Sequence, residues 1–238
     1  MAGADLTLAR STLEANRVTR HALPGTVEQL LAAGTVRRHA DGTCLTVRDD
    51  PVDSLQLVLA GSLEASVEGA EGQRAICWYV GPGHWFNMIP ILDGGRAIHT
   101  ARAQGPTTLL HLPGPTFLAL LAGDPGLARG CLLMLCDRAR TTYDNLAAES
   151  LMPLHGRLAR HLALLLDQHG QPTEQGVELA LHVPQEALAD MLATTRQRLN
   201  RELKAMEAEG ILRLAYRRIV VLDTEALKRR AIATLLPG

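Results

Sequence analysis

The stretch from Val183 to Leu222 constrains the fold of this chain more than any other part of the sequence. Pro184 suits the first turn of a helix, where its missing N–H removes no hydrogen bond. The run Ala193-Thr194-Thr195 then interrupts that helix, and either threonine can cap a second one by accepting from a backbone N–H. Gly210 ends the second helix, because glycine adopts the left-handed cap conformation without strain. The pattern predicts two short helices joined by a tight turn.

The second of these helices, at about residues 195–207, has two different faces. Leu199, Leu203 and Met206 recur at i, i+4 and i+7 and define an apolar face. The opposite face is polar and basic, and consists of Arg196, Gln197, Asn200, Arg201 and Lys204. After the helix, two short apolar runs predict a hairpin with Arg217 and Arg218 near its tip. Together these features predict a winged helix-turn-helix, which places its second helix in a DNA major groove.

The distribution of charge supports DNA binding locally. Between Arg196 and Arg218 the sequence has seven basic and three acidic residues, whereas the whole chain has 24 basic and 25 acidic residues. Phosphate attraction needs a basic patch and not a basic protein. The alternative interpretation is an ordinary helical hairpin with a solvated polar face, because basic helix faces are common.

Size and composition exclude several classes of protein. A chain of 238 residues that is 47% hydrophobic can bury the core of one large or two modest domains. No apolar run approaches the roughly 18 residues that span a membrane, and the N-terminus has no signal-peptide pattern, so we expect a cytoplasmic protein. The four cysteines form no C-x-x-C pair, so we expect buried or inert thiols; they are Cys44, Cys77, Cys131 and Cys136.

The first half of the chain changes in texture at about residue 36. Residues 1 to about 35 are helical in pattern, whereas residues 36–112 contain short alternating runs. Glycine and proline separate these runs, for example at Gly61 and at Gly105-Pro106. Short strands at nearly regular spacing predict an antiparallel β-roll or barrel.

A long helix is predicted from Asp124-Pro125 to about Ser150, with the aspartate as cap and the proline in the first turn. An apolar stripe on its first half makes the helix a candidate dimer seam, and the alternative is a helix packed on its own β-roll; the stripe is Leu127, Cys131, Met134 and Leu135. Met152-Pro153 breaks the pattern and predicts a hinge. Another amphipathic helix follows, and ends at Gln171-Pro172; its apolar face is Leu154, Leu158, Leu162 and Leu165. Residues 177–182 then alternate as a strand.

This order of elements resembles the bacterial family of the cyclic-AMP receptor protein and the fumarate-nitrate regulator, from about residue 30 to 225. The motifs that carry the resemblance are LVLAGSLEASV at 57–67, VGPGHWF at 80–86, LLHLPGPTFLALL at 109–121 and QEALADMLATTRQRLNREL at 185–203. The resemblance implies an α+β fold with a β-roll sensor domain (1–123), a dimerisation helix and hinge (124–152), and a winged helix-turn-helix domain (153–238). It also implies a homodimeric regulator of transcription on a pseudo-palindromic site of double-stranded DNA, with RNA polymerase as a partner.

By position, the resemblance assigns roles to the second helix and the hairpin. Arg196, Gln197 and Arg201 match the residues that read base edges, and Gln197 stands where the family often has Glu. The residues expected at the DNA backbone are Thr195, Arg198, Asn200, Lys204, Arg217 and Arg218.

The effector site departs from the family pattern. Cyclic-AMP binders hold the ribose with a Gly-Glu pair and the phosphate with an Arg-Ser pair. The matching positions here are Asn87-Met88 and about Ala97-Ile98, with Arg96 one position early. Thr142, followed by Tyr143, aligns with a threonine that contacts the base. Since methionine cannot accept from a ribose hydroxyl and alanine cannot pair with a phosphate, we expect an effector other than cyclic AMP at these six residues.

Other cofactors of the family are not expected either. Iron–sulfur members need a cluster of N-terminal cysteines, and no cysteine precedes Cys44. A haem member has Cys and His ligands in the segment that reads Phe86-Asn87-Met88-Ile89 in this chain. Haem on His84, His99 or His111 stays open, although a lone histidine there is more often structural. The cofactor, if any, is unknown.

Two other functions remain open. A degenerate sensor domain fits a regulator that is controlled by a protein partner or needs no effector. A metal-binding cupin, an enzyme with a similar β-roll, is the least favoured alternative, because it needs an H-x-H pair and the sequence has none. We therefore expect no catalytic residue, no metal ligand and no enzyme activity.

Overall fold

Helices and strands make up most of the part of the chain that the computed structural model describes, residues 3–69, 74–215 and 218–232. The α-helices are α1 Gly3–Glu14, α2 Thr26–Ala33, α3 Met88–Asp93, α4 Gly114–Gly123, α5 Pro125–Leu151, α6 Leu154–His169, α7 Gln185–Met191, α8 Arg196–Ala208 and α9 Thr224–Ile232. The strands are β1 Thr35–His39, β2 Cys44–Thr46, β3 Ser54–Glu68, β4 Arg74–Val80, β5 Trp85–Phe86, β6 Thr100–Pro113, β7 Gly170–Thr173, β8 Gly176–Leu179, β9 Leu212–Ala215 and β10 Arg218–Val221. The chain divides into two units, Met1–Arg140 and Thr141–Gly238.

An antiparallel sheet forms the centre of the first unit, as the alternating runs predict. Its strand order is β1-β6-β3-β4, with β2 added to β6 and β5 added to β3. The predicted strand breaks at two glycines are wrong, because β3 continues through Gly61 and β6 through Gly105. The β3–β6 register shifts between Ala60 and Ser62, so a bulge absorbs the glycine. Gly61 has a φ of +79°, and a Cβ there would lie 2.5 Å from the carbonyl oxygen of Pro106.

Strand β3 buries both of its faces. Leu57 packs in a cluster with Leu13 of α1 and Leu30 of α2, whereas Val58 belongs to a second cluster with Leu109 of β6. All five side chains are fully buried, and each such burial contributes about 1.5–3 kcal/mol. This explains why residues 55–59 are almost continuously apolar and do not alternate with polar residues.

Helices α3 and α4 have no counterpart among the predicted elements. α4 is almost entirely apolar, so its sequence shows no amphipathic period. Its Phe117 is buried and packs against Trp85, with ring centroids 6.1 Å apart. α3 has only six residues and begins after Asn87, which is in the left-handed conformation.

The long helix α5 begins where the sequence predicts. Asp124 caps it, since its Oδ1 accepts from the backbone N–H of Leu127 at 2.9 Å. Oδ2 of the same residue accepts from the Thr26 hydroxyl at 2.6 Å and from the Leu23 backbone N–H at 2.8 Å. Asp124 therefore ties the start of α5 to the N-terminal helical segment.

The apolar stripe on α5 that is predicted as a dimer seam belongs to the core of the first unit instead. Leu127 and Cys131 are buried in the core of the first unit, and Met134 packs against that core. The alternative interpretation, a helix packed on its own β-roll, holds for this stripe.

Among the described residues no single helix is long and apolar enough to cross a membrane; α4 and α5 meet that test only as a pair, which is bent by 113°.

The second unit contains helices around a four-stranded sheet of order β7-β8-β10-β9. The predicted apolar face of α6 is confirmed, because Leu154, Leu158, Leu162 and Leu165 are all buried. α6 ends at His169 rather than at Gln171, since residues 170–173 pair with β8 as strand β7. The strand predicted at 177–182 is shorter, and α9, which packs against α6, has no predicted counterpart.

Candidate DNA-binding surface and effector groove

The tight turn between α7 and α8 forms as predicted. Pro184 lies just before α7, at its N-cap position and not in the first turn. Ala193 has a φ of +46°, uncommon outside glycine, and the backbone N–H of Thr194 donates to the Ala189 carbonyl at 3.0 Å. Leu188 and Leu192 are buried. The turn is therefore fixed by backbone hydrogen bonds and by a buried apolar face.

Helix α8 separates its apolar and polar residues as the spacing predicts. Thr195 is its cap, with Oγ1 accepting from the Arg198 backbone N–H at 3.3 Å. Leu199, Leu203 and Met206 are each 0% exposed, so one face is anchored in the second unit. The candidate DNA-contacting residues of this helix and its cap that are solvent-exposed are Thr195, Arg196, Gln197, Arg198, Arg201 and Lys204, and Asn200 is half-buried. The helix thus presents a continuous polar surface with four exposed basic side chains.

The hairpin that follows differs from the prediction at its tip. Arg218 is the first residue of β10 and pairs with Ala215, the last residue of β9, so both of these residues belong to strands and not to the tip. Nη1 of Arg218 lies 3.6 Å from Oε1 of Glu178, an ion pair that the sequence does not indicate. Arg217 lies outside the described residues. The backbone N–H of Leu214 donates to Oε1 of Glu207 at 2.8 Å, which ties the hairpin to α8.

A groove in the first unit contains two of the six predicted effector residues. It is lined by Phe86, Asn87, Met88, Ile89, Pro90, Ile98, His99 and Arg138. Ala97 is buried at 1% exposure and does not line the groove. Arg96 is exposed and donates to the backbone carbonyl of Asp49 at 2.6 Å. Thr142 and Tyr143 are exposed and belong to the second unit. The structure therefore brings together Asn87 and Met88, but not Arg96 or Ala97.

Arg138 is a groove residue that the sequence analysis missed. Its guanidinium lies over the Trp78 ring, 3.6 Å from the ring centroid, and the Trp78 and His99 rings are 5.2 Å apart. Burial lowers the pKa of Arg138 to about 10, so it stays charged at neutral pH. Burial, with Arg138 and Arg48 nearby, lowers the pKa of His99 to about 4. A fixed cation therefore lies beside a neutral imidazole and an indole. The sequence signal that could have identified Arg138 is its position, one helical turn before Thr142, which is itself a predicted effector residue.

Within residues 3–69, 74–215 and 218–232, no group of three or more His, Cys, Asp or Glu side chains is placed to hold a metal ion. Burial raises the pKa of the Cys131 thiol to about 11, which makes it unreactive. The other three cysteines are exposed, so of the thiols expected to be buried or inert only Cys131 is shown to be buried. His111 lies against His39, with 3.1 Å between their Nε2 atoms.

Comparison with known proteins finds two domain families in this chain. Residues 36–124 match the cyclic nucleotide-binding domain, and residues 156–230 match the Crp-like helix-turn-helix domain. The CRP-like cAMP-activated global transcriptional regulator of Mycobacterium tuberculosis is 23% identical over 190 residues, which cover 80% of this chain and 85% of the relative. The HTH-type transcriptional regulator Cmr of the same species is 29% identical over 196 residues, which cover 82% and 76%.

A solved structure has the same fold. FixK2 from Bradyrhizobium japonicum superposes with a TM-score of 0.72 at 19% identity, covering 82% of this chain and 96% of that protein. The α+β fold with an antiparallel sheet, a long helix and a C-terminal helix-turn-helix is therefore confirmed. The domain content is that of a regulator of transcription and not of an enzyme. The two domains in this order, with these relatives, place the chain in the Crp/Fnr family of transcriptional regulators.

Proposed function

We propose that this protein is a homodimer that binds a pseudo-palindromic DNA site through α8 and responds to an effector other than cyclic AMP. The observation that carries the proposal is the exposed surface of α8. Arg196, Gln197 and Arg201 are exposed while Leu199 and Leu203 anchor the opposite face. A helix held in this way can enter a major groove without moving its support.

The residues of α8 divide by the kind of DNA contact that we propose for them. Arg196 and Arg201 pair bidentately with guanine edges, and Gln197 pairs with an adenine edge. Each such pair contributes about 1–3 kcal/mol of discrimination against the wrong base. Phosphate contacts come from Thr195, Arg198, Asn200 and Lys204, together with Arg217 and Arg218 of the hairpin. Arg218 must first leave Glu178 or share its charge, so we expect it to contribute less than Lys204.

A dimer seam on α5 is supported by a row of exposed residues that the predicted stripe does not contain. The intervals between successive residues of this row are four and three positions in turn. All five residues are exposed; they are Leu132, Cys136, Ala139, Tyr143 and Leu146. Leu132 and Leu146 are 63% and 62% exposed, and Tyr143 is 73% exposed. A 4-3 repeat of apolar residues is the pattern by which two helices form a coiled coil. Pairing of two α5 helices along this row would join two copies of the chain, which would make two α8 helices available for one pseudo-palindromic site.

The groove beside Arg138 is the site that we propose for the effector. Met88 cannot replace a carboxylate that accepts from a ribose hydroxyl, and Ala97 is buried away from the groove. Arg138, held over the Trp78 ring, supplies a positive charge, and His99 supplies a ring face. These groups favour an anionic ligand with a planar part, because such a ligand pairs with the guanidinium and stacks on a ring.

One observation favours the alternative, a regulator that needs no small effector. The groove has a volume of only about 10 Å³. A ligand therefore binds only if side chains that line the groove move. Control by a protein partner, or constant DNA binding, requires no such movement. Contact with RNA polymerase rests on family membership, and the segment from Gln168 to Gly176, which contains β7, is the one that we propose for it.

Selection of DNA sites from a random pool by the purified, unliganded protein tests the proposed function. We expect a two-fold symmetric motif whose half-sites are one helical turn apart, about 34–36 Å. The salt concentration must be fixed, since affinity falls steeply with salt. Recovery of a motif without ligand favours effector-independent or inhibitory control. DNA binding without sequence preference, both in the absence and in the presence of a panel of anionic ligands, would contradict the proposal.

A further inference from the structure

A second cavity lies in the first unit, between β2, the start of β3 and the segment that connects them. Its volume is about 330 Å³, which is at the small end of the range of about 300–1,000 Å³ for sites of small molecules. Of the described residues that line this cavity, Asn87 alone also lines the groove beside Arg138. The cavity is therefore a separate site from the effector groove.

The floor of this cavity is a chain of buried amide groups. The Asn87 side-chain nitrogen donates to Oγ1 of Thr46 and to Oε1 of Gln56, each at 3.1 Å. The Gln56 side-chain nitrogen donates to the backbone carbonyl of Ser54 at 3.2 Å. Gln56 is 5% exposed and Asn87 is 7% exposed, and Asn87 adopts a left-handed φ of +64° that few non-glycine residues adopt. Because both amide hydrogens of Asn87 are engaged, the group that it offers to a ligand is its carbonyl oxygen.

The rim of the cavity is negatively charged. Asp50 and Asp53 line it, and both are exposed, whereas no Lys, Arg or His is found among its lining residues in the described part of the chain. The nearby cations Arg48 and Arg96 contact Asp49, which is not a lining residue. Arg48 Nε lies 3.7 Å from Oδ2 of Asp49, and Arg96 donates to its backbone carbonyl. His111 faces Asp53 from β6 and is neutral at pH 7, because burial lowers its pKa to about 4.

We propose that this cavity binds a small organic cation with ammonium or guanidinium N–H donors. Two carboxylates at the rim attract the positive charge, and the acceptor oxygens of the floor receive the N–H groups. A carboxylate-bearing anion is disfavoured, since it would meet Asp50 and Asp53 without a lining cation. The site is additional to the effector groove, and nothing in the proposed DNA binding depends on it.

Cys44 provides a direct measurement, because it lines the cavity and its thiol is exposed. The full-length protein is alkylated with iodoacetamide in the presence of agmatine, and the rate at each cysteine is followed by mass spectrometry of its peptides. We expect agmatine to slow the alkylation of Cys44 several-fold and to leave Cys77, which is exposed but not a lining residue, unchanged. Equal slowing at both cysteines, or no slowing at Cys44, would overturn the proposal.

Matched carboxylate variants identify the contacts. Asp50→Asn and Asp53→Asn should each raise the agmatine concentration needed for protection by up to about fivefold, the size of one partly exposed ion pair. Asp49→Asn is the control, since Asp49 is exposed and adjacent but does not line the cavity. If Asp49→Asn raised the agmatine concentration needed for protection as much as Asp53→Asn does, the binding site would not lie in this cavity.

Two further probes test the charge of the ligand. 4-Guanidinobutyrate, in which a carboxylate replaces the aminomethyl group of agmatine, should protect Cys44 more weakly than agmatine does. Protection by neutral sorbitol at the same concentration as agmatine would overturn the assignment to cations. All of these outcomes are independent of DNA-site selection, so failure here and failure of the proposed function are distinguishable.

Discussion

Arg201 is the residue whose replacement tests the proposed reading of DNA most directly. It is exposed on α8, and its backbone is held by Leu199 and Leu203, which are buried on either side in the sequence. Arg201→Ala should weaken binding to the selected site by about 1–3 kcal/mol per half-site and relax the preference at one base position. The measurement is a titration of the selected site and of its single-base variants by fluorescence anisotropy.

Lys204→Ala is the matched control, because Lys204 is exposed on the same helix and is assigned to a phosphate. It should weaken all sequences about equally and reduce the salt dependence, by about one counterion per half-site. Equal weakening of all sequences by Arg201→Ala as well would show that Arg201 does not read a base.

Asp124 carries a prediction about stability and pH. Burial opposes its ionisation and is the largest single influence, but hydrogen bonds from Thr26, Leu127, Leu23 and Gly126 together outweigh it and lower its pKa below the usual 3.8. A carboxyl group whose pKa is lower in the folded state stabilises the fold above its unfolded pKa. That stabilisation is lost as the pH falls through the folded pKa. We expect the first unit to lose stability below about pH 4.

Asp124→Asn should remove this pH dependence, because asparagine does not titrate in this range. It should also lower the free energy of unfolding at pH 7 by about 1–3 kcal/mol, since the amide cannot accept from every donor around it. Thermal melts between pH 3 and 7 measure both effects. Glu149→Gln is the control, since Glu149 is exposed on the same helix. Parallel pH profiles for Asp124→Asn and the unmodified protein would contradict the prediction.

At the scale of elements, α5 makes the sharpest prediction, because one helix has two apolar rows. The row with Leu127 and Cys131 is used inside the first unit, and the row with Cys136 and Leu146 is exposed. Seam residues of a parallel two-stranded coil face their symmetry mates. Mild oxidation with copper phenanthroline should therefore link two chains through Cys136, and non-reducing electrophoresis detects the product. Cys136→Ser should abolish the product and Cys44→Ser should not.

Leu146→Glu tests the same seam without cysteine chemistry. Two carboxylates that face each other across a coil are costly to bury, so the variant should shift sedimentation from dimer toward monomer. Thr141→Glu is the control, because Thr141 is exposed on α5 but lies outside the 4-3 row. A monomer in the unmodified protein, or equal sedimentation of the two variants, would show that the exposed row is not the seam.

At the scale of the whole molecule, the question is which ligand the folded protein binds. A ligand that binds only the folded state stabilises it by about 2.7 kcal/mol at a hundredfold excess over its Kd. We expect cyclic AMP to leave the thermal unfolding of the first unit unchanged, because the groove offers Met88 and no carboxylate for the ribose. A planar anion from a ligand panel should stabilise the unmodified protein but not Arg138→Gln. Saturable stabilisation by cyclic AMP would contradict this prediction.

The net charge of the whole chain also bears on how the molecule binds DNA. With 24 basic and 25 acidic residues it has no general attraction for DNA. For the proposed dimer, affinity would therefore depend on the local cations of α8 and the hairpin, and on two copies that bind together. This is why a seam variant on α5 should also weaken DNA binding, although it changes no residue of α8.

The sequence by itself determined the local features, because each depends on a few neighbouring residues. A threonine cap before α8, the cap at Asp124 and the stop at Gly210 are set by hydrogen bonds and backbone conformation within one helical turn. Of the two candidate threonines, the structure uses Thr195. The polar and apolar faces of α8 follow from the helical repeat alone. Family membership followed from the order of these features along the chain.

Tertiary structure decided whatever depends on residues that are distant in sequence. A bulge opposite Gln104 and Thr108, and not a break, accommodates Gly61, and this requires knowing its partner strand. Which of two apolar rows on α5 is buried depends on the helices that pack against it. Arg138 and Trp78 meet across 60 positions of sequence, and no local pattern encodes such a contact. Helical and strand periods fix directions along one element, whereas packing between elements selects which direction faces the core.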